Sequence, residues 1–344
     1  MSTTAFTVTT EPGAQSFSAR ATQTVLEAAL DAGLLLPYGC RDGACGACKA
    51  HILAGDIDQG AVSDTALTSQ ERADGMALLC KAVAHSDLRI GVRTLGQVGG
   101  YPSKKLPCRV MSLDRVASDI MVMRVKLPAT GPFRFRAGQY IDFLLEGNRR
   151  RSFSIANPPG ISDHLELHIR RIDGGAFTER VFETLKARDI LRFEGPLGAF
   201  SLDIESDAPI LLVAGGTGFA PIKSLVEDLL ERGTRRPIRL YWGARSREGL
   251  YMDNLARSWS AQLDDFHYIP VLSQATPDDA WDGRTGLVHE AVMADHPDLS
   301  QWEVYACGAP AMVEAAQRDF VARCALPASA FHADAFTFSH DPAA

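Results

Sequence analysis

No run of about 18 consecutive apolar residues occurs in the 344-residue chain, which removes a membrane-spanning helix as an organising element. The first residues, Met1-Ser-Thr-Thr-Ala-Phe-Thr-Val8, carry neither the basic stretch nor the apolar core of a secretory leader. A cytoplasmic protein with no membrane attachment is therefore expected. Positive charge is also scarce: 35 Lys and Arg against 42 Asp and Glu give a net charge of −7, which disfavours a nucleic-acid grip. There is no internal repeat and no low-complexity tract. With 46% hydrophobic and 22% charged residues the composition is that of a folded globular protein, and at about 100 to 200 residues per domain the length suits two or three domains.

The chain changes rhythm along its length. Residues 1–95 open with alternating Phe6 and Val8 and then Thr24-Val-Leu-Glu27, a capping box that predicts a short helix ended by Gly33. A stretch rich in Gly, Pro and Ser over 96–103 predicts a linker. Residues 104–205 contain short, turn-bounded apolar segments such as Ile120–Val125, Gln139–Leu145 and Leu165–Ile169, which predict a small antiparallel barrel. From 206 to 344, apolar runs (Ile210–Val213, Ile238–Trp242, Glu303–Ala306) alternate with amphipathic helical patterns, which predict a parallel sheet wrapped by helices. Charge divides unevenly. The first part has seven basic against ten acidic residues, the middle 17 against 13 and the last 11 against 19, so only the middle part has the excess positive charge that suits a phosphate-bearing ligand or a solvated basic face.

Cysteine is the most informative residue type. There are seven, and four of them stand in Tyr38-Gly-Cys-Arg-Asp-Gly-Ala-Cys-Gly-Ala-Cys48 and, after 31 further residues, at Cys80. The C-x4-C-x2-C…C spacing allows one loop to wrap two sulfide-bridged irons while a distant cysteine closes the site, so Cys40, Cys45, Cys48 and Cys80 are the candidate ligands of a [2Fe–2S] cluster. Gly39, Gly43 and Gly46 suit a loop that bends sharply and aims N–H groups at anionic sulfur. A structural zinc site is the alternative, but zinc sites usually pair two short clips and here only Cys45/Cys48 qualify. This segment resembles a plant-type ferredoxin domain, which implies a β-grasp fold. Cys108 and Cys324 have no motif around them and read as ordinary buried thiols.

In the middle part, Arg151-Ser-Phe-Ser154 resembles the R-x-Y-S signature of the ferredoxin–NADP reductase superfamily. The resemblance assigns Arg151 to a flavin phosphate, Phe153 to packing on the flavin, Ser154 to a position near flavin N5, and Ser152 to the same strand. Gly174-Gly-Ala-Phe-Thr178 resembles the family's G-G-x-x-S/T, in which Gly174, Gly175, Ala176 and Thr178 meet the flavin phosphates at a helix start. His168-Ile169-Arg170 is then the preceding strand, with main-chain contacts to the ring system. Gly195-Pro-Leu-Gly-Ala-Phe200 matches a structural turn of the same family.

After the apolar run Ile210–Val213, Gly216-Thr217-Gly218-x-x-Pro221 resembles the superfamily's G-x-G-x-x-P nicotinamide turn, distinct from the G-x-G-x-x-G fingerprint. Cys307-Gly308-Ala-Pro310-Ala-Met312 resembles its C-G-x-P-x-M, with Cys307 beside nicotinamide C4. Phe331-His-Ala-Asp-Ala-Phe336 resembles the acidic-x-aromatic ending, which places Asp334 and Phe336 near the flavin. Ser154, Cys307 and Phe336 are thereby the candidate catalytic residues.

As a whole the chain resembles the NADH-dependent reductase components of bacterial multicomponent oxygenases. That resemblance implies FAD, a [2Fe–2S] cluster and NADH as ligands, and an electron-accepting protein as partner, either an oxygenase component or an iron–sulfur sugar dehydrase. Flavin converts a two-electron donor into a source of single electrons, so no catalytic triad or carboxylate pair is required. A stand-alone reductase of free flavin or another small acceptor, and a redox-sensing module, are the competing readings. NADH is expected over NADPH because Ser273-Gln274 stands where NADPH users of the superfamily carry a Ser-Arg pair; Arg245, after the preceding strand Leu240-Tyr-Trp242, is the cation expected to reach an adenosine phosphate, and Arg247 reads as a solvated loop residue.

Overall fold

The computed structural model describes residues 4–64, 66–92, 101–129, 133–161 and 163–336. Chain contacts divide it into two units, Met1–Pro102 and Ser103–Ala344. Most of the expected linker, and the eight residues after Phe336, lie outside the described residues.

The first unit is built on a five-stranded sheet in the order Ser16–Arg20, Ala5–Glu11, Leu88–Gly91, Lys49–Ala54, Met76–Leu78. Its first and last strands in sequence pair in parallel at its centre, while the flanking pairs are antiparallel. Across one face lies the helix Val25–Asp31, started by the predicted capping box: Thr24 Oγ accepts from the Glu27 N–H while the Glu27 carboxylate accepts from the Thr24 N–H. Gly33, in the left-handed conformation just past Ala32, ends it. Val25, Leu26, Ala28 and Ala29 are buried beneath it.

The second unit contains two six-stranded sheets. The antiparallel one runs Arg150–Ser154, Tyr140–Leu144, Ile190–Leu197, Lys104–Ala117, Ile120–Lys126, His164–Arg170. Its two edges meet through a bridge from Ile155 to Leu167 and the Ala156 N–H donating to the Glu166 carbonyl at 2.8 Å, which closes the sheet into the expected barrel. Inside, Val110, Met123, Ile141, Phe143, Leu165, Leu167, Ile169 and Phe193 form an apolar core.

The second sheet is entirely parallel, in the order Arg284–Thr285, Phe266–Leu272, Ile238–Ala244, Ile210–Gly215, Glu303–Gly308, Phe331–Ala335. Helices cover both faces, so its central strands read as unbroken apolar runs and not as alternating ones. On one face the helix Phe219–Arg232 packs with Trp242, Trp259 and Leu240; on the other, Val288–Asp295 and Pro310–Arg323 pack on Leu211, Val213 and Val304. Among the described residues, no helix is long and apolar enough to cross a membrane.

Candidate functional site

In the first unit the cysteine loop connects the helix Val25–Asp31 to the strand Lys49–Ala54. Arg41, Gly43 and Gly46 adopt positive φ there, and this winds the backbone tightly enough to point N–H groups inward. The Cys40 N–H donates to Cys45 Sγ at 3.3 Å and the Ala44 N–H donates to Cys40 Sγ at 3.4 Å. The thiols come as two pairs, Cys40 with Cys45 and Cys48 with Cys80. Within each pair the shared hydrogen bond, followed by burial, pushes one thiol (Cys40, Cys48) above its ordinary range, while Cys80 is held down by the bond from Cys48 and by the Gly43 N–H. Among the described residues no three His, Cys, Asp or Glu groups converge on a single-ion site. Two thiol pairs with inward N–H donors fit two irons that each need two thiolates.

In the second unit, register brings the candidate flavin strand to its neighbours. Tyr140 pairs with Ser154 and Asp142 with Ser152, so Ser152 Oγ donates to the buried Asp142 carboxylate at 2.6 Å. Arg150 bonds to Glu194 at 2.7 Å and lies 3.5 Å from Asp142, whereas Arg151 is half-buried and bonds to the Arg150 carbonyl. One side of Phe153 packs on Phe143 and Phe177, with ring centroids 5.9 and 5.6 Å away, and the side chain keeps part of its surface open. The turn Gly174-Gly175 leads into the helix Ala176–Glu183, whose Gly175 N-cap offers no side-chain acceptor. Thr178 is buried and its hydroxyl bonds to backbone of Ile172 and Gly175, which makes it a brace of that turn.

Strand alternation explains the next three residues. Leu165, Leu167 and Ile169 fill the barrel core, so Glu166, His168 and Arg170 emerge on the opposite face. Each meets the parallel-sheet half: Glu166 meets Lys223, His168 meets Tyr251, and the Arg170 guanidinium covers Gly216, where an added methyl would stand 3.0 Å from Nη2. Arg170 Nε lies 3.2 Å from an Asp119 oxygen without an aligned hydrogen bond, which leaves a buried donor unsatisfied beside the Gly216 turn. A positive group with a spare donor at a glycine turn fits an anionic ligand.

That turn, Gly216–Gly218, follows the strand Ile210–Gly215 at its carboxyl end, and Pro221 sits in the first turn of the helix beyond it. Gly218 packs so closely on the Cys307–Gly308 peptide that a Cβ would overlap the Cys307 carbonyl oxygen. Thr217 is half-buried. The Trp242 indole N–H donates to the Gly216 carbonyl at 3.0 Å, and the Trp242 ring stacks on Phe219 at 3.8 Å. Neither aromatic was assigned a role from sequence; the signal was a Trp inside a buried strand, whose N–H must find an acceptor.

Cys307 and Asp334 are direct neighbours in the parallel register. The Asp334 carboxylate is 3.9 Å from Cys307 Sγ and 3.5 Å from Ser154 Oγ, so residues from three separate sequence motifs converge at one buried point. Burial pushes Asp334 up to about 6, against the opposing hydrogen bonds of Ser154 and Cys307, and pushes the Cys307 thiol up. Gly308 is buried, Pro310 begins the helix that follows, and Phe336 packs half-buried against the core with its N–H donating to the Gly308 carbonyl at 2.8 Å. Arg245 is exposed, while Arg247 is engaged with Asp279 through backbone and side chain.

Comparison with known proteins adds independent findings. A 2Fe-2S iron-sulfur cluster binding domain matches residues 8–85, an oxidoreductase FAD-binding domain 107–202, and an oxidoreductase NAD-binding domain 212–318. The CDP-6-deoxy-L-threo-D-glycero-4-hexulose-3-dehydrase reductase of Yersinia pseudotuberculosis is 41% identical over 94% of this chain and 96% of its own. Reductase component 1 of terephthalate 1,2-dioxygenase from Comamonas is 37% identical over 92% of this chain and 93% of its own. Among solved structures, the cytochrome P450 reductase GcoB of Amycolatopsis superimposes with a TM-score of 0.79 at 33% identity, covering 97% of this chain and 99% of that one.

Proposed function

The chain belongs to the iron–sulfur flavoprotein reductases that carry 2Fe-2S, FAD-binding and NAD-binding domains in that order, and from that premise we propose residue by residue how it moves electrons from NADH to a partner protein. When bound, FAD accepts a hydride from NADH and the [2Fe–2S] cluster passes electrons on singly. The convergence of Ser154, Cys307 and Asp334 carries this reading, because it joins the end of the flavin strand to the carboxyl edge of the parallel sheet.

Cys40, Cys45, Cys48 and Cys80 would hold the cluster through their thiolates, which stand in the pairs Cys40/Cys45 and Cys48/Cys80. Arg151, Ser152, Phe153 and the Gly174–Ala176 turn hold the flavin; Thr178 braces that turn, and His168, Ile169 and Arg170 form the adjacent wall. The Gly216-Thr217-Gly218 backbone, Pro221, Gly308 and Pro310 shape the nicotinamide side, with Arg170 available to a phosphate. Ser154 and Cys307 stand at the reacting edge, Asp334 orients both, and Phe336 covers it. In domain terms this is ferredoxin 1–95, linker 96–103, flavin barrel 104–205 and nicotinamide domain 206–344.

The Yersinia relative is named for a sugar dehydrase and the Comamonas relative for a dioxygenase; we assign this chain a protein acceptor of one of those two classes. A reductase of free flavin would leave the four-cysteine loop without a task. The need to keep cluster thiols reduced supports a cytoplasmic location. Steady-state NADH oxidation with cytochrome c as acceptor, before and after removal of the cluster, tests the assignment: turnover that depends on the cluster supports it, and turnover indifferent to the cluster refutes it.

A further inference from the structure

The face of the His164–Arg170 strand opposite the barrel core is both polar and buried. Glu166 Oε1 lies 3.2 Å from Lys223 Nζ and 3.2 Å from His168 Nε2, and its other oxygen accepts from Arg124 at 2.6 Å. Lys223 also donates to the Ala156 carbonyl at 3.3 Å and to Glu227 at 2.8 Å. Beside it, Ser224 Oγ donates to the Asn157 carbonyl at 2.8 Å. Burial lowers the proton affinity of the His168 imidazole, whose Nε2 lies 3.2 Å from the Glu166 carboxylate and whose Nδ1 is hydrogen-bonded with the Tyr251 hydroxyl at 2.8 Å.

Two lobes thus share one continuous polar bridge. Its barrel end is Ala156 and Asn157, two and three residues beyond Ser154. Its other end is the first turns of the helix that grows from the Gly216–Gly218 turn, together with Tyr251, whose ring packs edge-on against Phe219 and Trp242. Trp242 in turn holds the Gly216 carbonyl. Buried charges and hydroxyls have few satisfactory arrangements, so such a bridge fixes one geometry where an apolar contact would tolerate sliding.

We propose that Glu166, His168, Lys223 and Tyr251 are positioning residues for hydride transfer, fixing the distance between the end of the flavin strand and the nicotinamide turn. The proposal rests on the hydride-transfer reading above. A displacement of about 1 Å in a reacting pair can cost about a hundredfold in rate without touching ligand contacts, so the effect falls on the chemical step and not on NADH affinity.

The test uses full-length holoprotein with Tyr251→Phe, Lys223→Met and Lys223→Arg. Anaerobic stopped-flow absorbance gives the limiting rate of flavin reduction and the NADH Kd, and hydrogen–deuterium exchange reads residues 213–222 without NADH. Tyr251→Phe removes one oxygen, so the rate should fall about three- to fivefold, and Lys223→Met, which leaves Glu166 to Arg124 and His168 and takes the cation from Glu227, about tenfold or more. NADH Kd should stay within about twofold, exchange of 213–222 should rise, and Lys223→Arg should recover most of the rate. Should Lys223→Met fail to fold, Tyr251→Phe alone decides. Unchanged rates and exchange, or a weaker Kd with an unchanged rate, would overturn the proposal. A wild-type flavin that NADH does not bleach would instead overturn the hydride-transfer reading, and the proposal with it.

Discussion

Asp334 stands 3.5 Å from Ser154, although 180 residues separate them in the chain. One belongs to the last strand of the parallel sheet and the other to an edge strand of the barrel. Burial raises the Asp334 acid from 3.8 to about 6. Below pH 4 both folded and unfolded forms bind the proton, and between about 4 and 6 only the folded form does, so this group costs stability progressively as pH rises through that window. Above it the cost is full, on the order of 3 kcal/mol. Replacing Asp334→Asn should leave stability near wild type at pH 4 and raise it at pH 7, measured by urea unfolding at both pH values. A difference that does not change with pH would show that Asp334 is not the buried acid described.

Cys45→Ser should remove the cluster and with it cytochrome c reduction, while NADH still reduces the flavin at close to the wild-type rate. The four proposed ligands lie in the Met1–Pro102 unit and the proposed hydride site in the other. Iron and sulfide analysis together with stopped-flow absorbance provides the readout, and equal loss of both activities would contradict the separation.

Gly218→Ala should cut the rate of flavin reduction by NADH at least about tenfold, because the new Cβ collides with the Cys307–Gly308 backbone and must displace the Gly216–Gly218 turn, the proposed nicotinamide wall. Flavin content should hold, since the flavin-binding strands lie in the barrel. Loss of flavin with an unchanged reduction rate per bound flavin would refute this.

NADH should exceed NADPH in kcat/KM by about tenfold or more, equivalent to roughly 1.4 kcal/mol of transition-state binding. Arg247 is already committed to Asp279, which leaves Arg245 as the exposed cation near the expected ribose position. Gln274→Arg should narrow the gap from the NADPH side, and a wild-type preference for NADPH would overturn the assignment.

Local signals were legible where a single residue type had a forced role. Thr24 and Glu27 form the capping box their spacing implies, and the thiols of Cys40 and Cys45, and of Cys48 and Cys80, come together in pairs. What the sequence hid is pairing across long separations. Leu165-Glu-Leu-His-Ile-Arg170 shows its alternation plainly, yet alternation normally sends the polar face to water. Here that face is buried because Lys223, in a helix read from its apolar residues, supplies the compensating charge. Trp242 offered only the general signal of an indole N–H in a buried strand, and Phe219, at the start of the helix that covers it, looks like the other apolar residues of that helix.

The most direct measurement is an anaerobic titration of the purified holoprotein with NADH, followed by flavin absorbance and by low-temperature electron paramagnetic resonance. The account predicts that sub-stoichiometric NADH bleaches the flavin and produces the signal of a reduced [2Fe–2S] centre, with two irons and two sulfides per chain and no zinc. A flavin that NADH reduces fully while the centre stays oxidised until dithionite is added would contradict it.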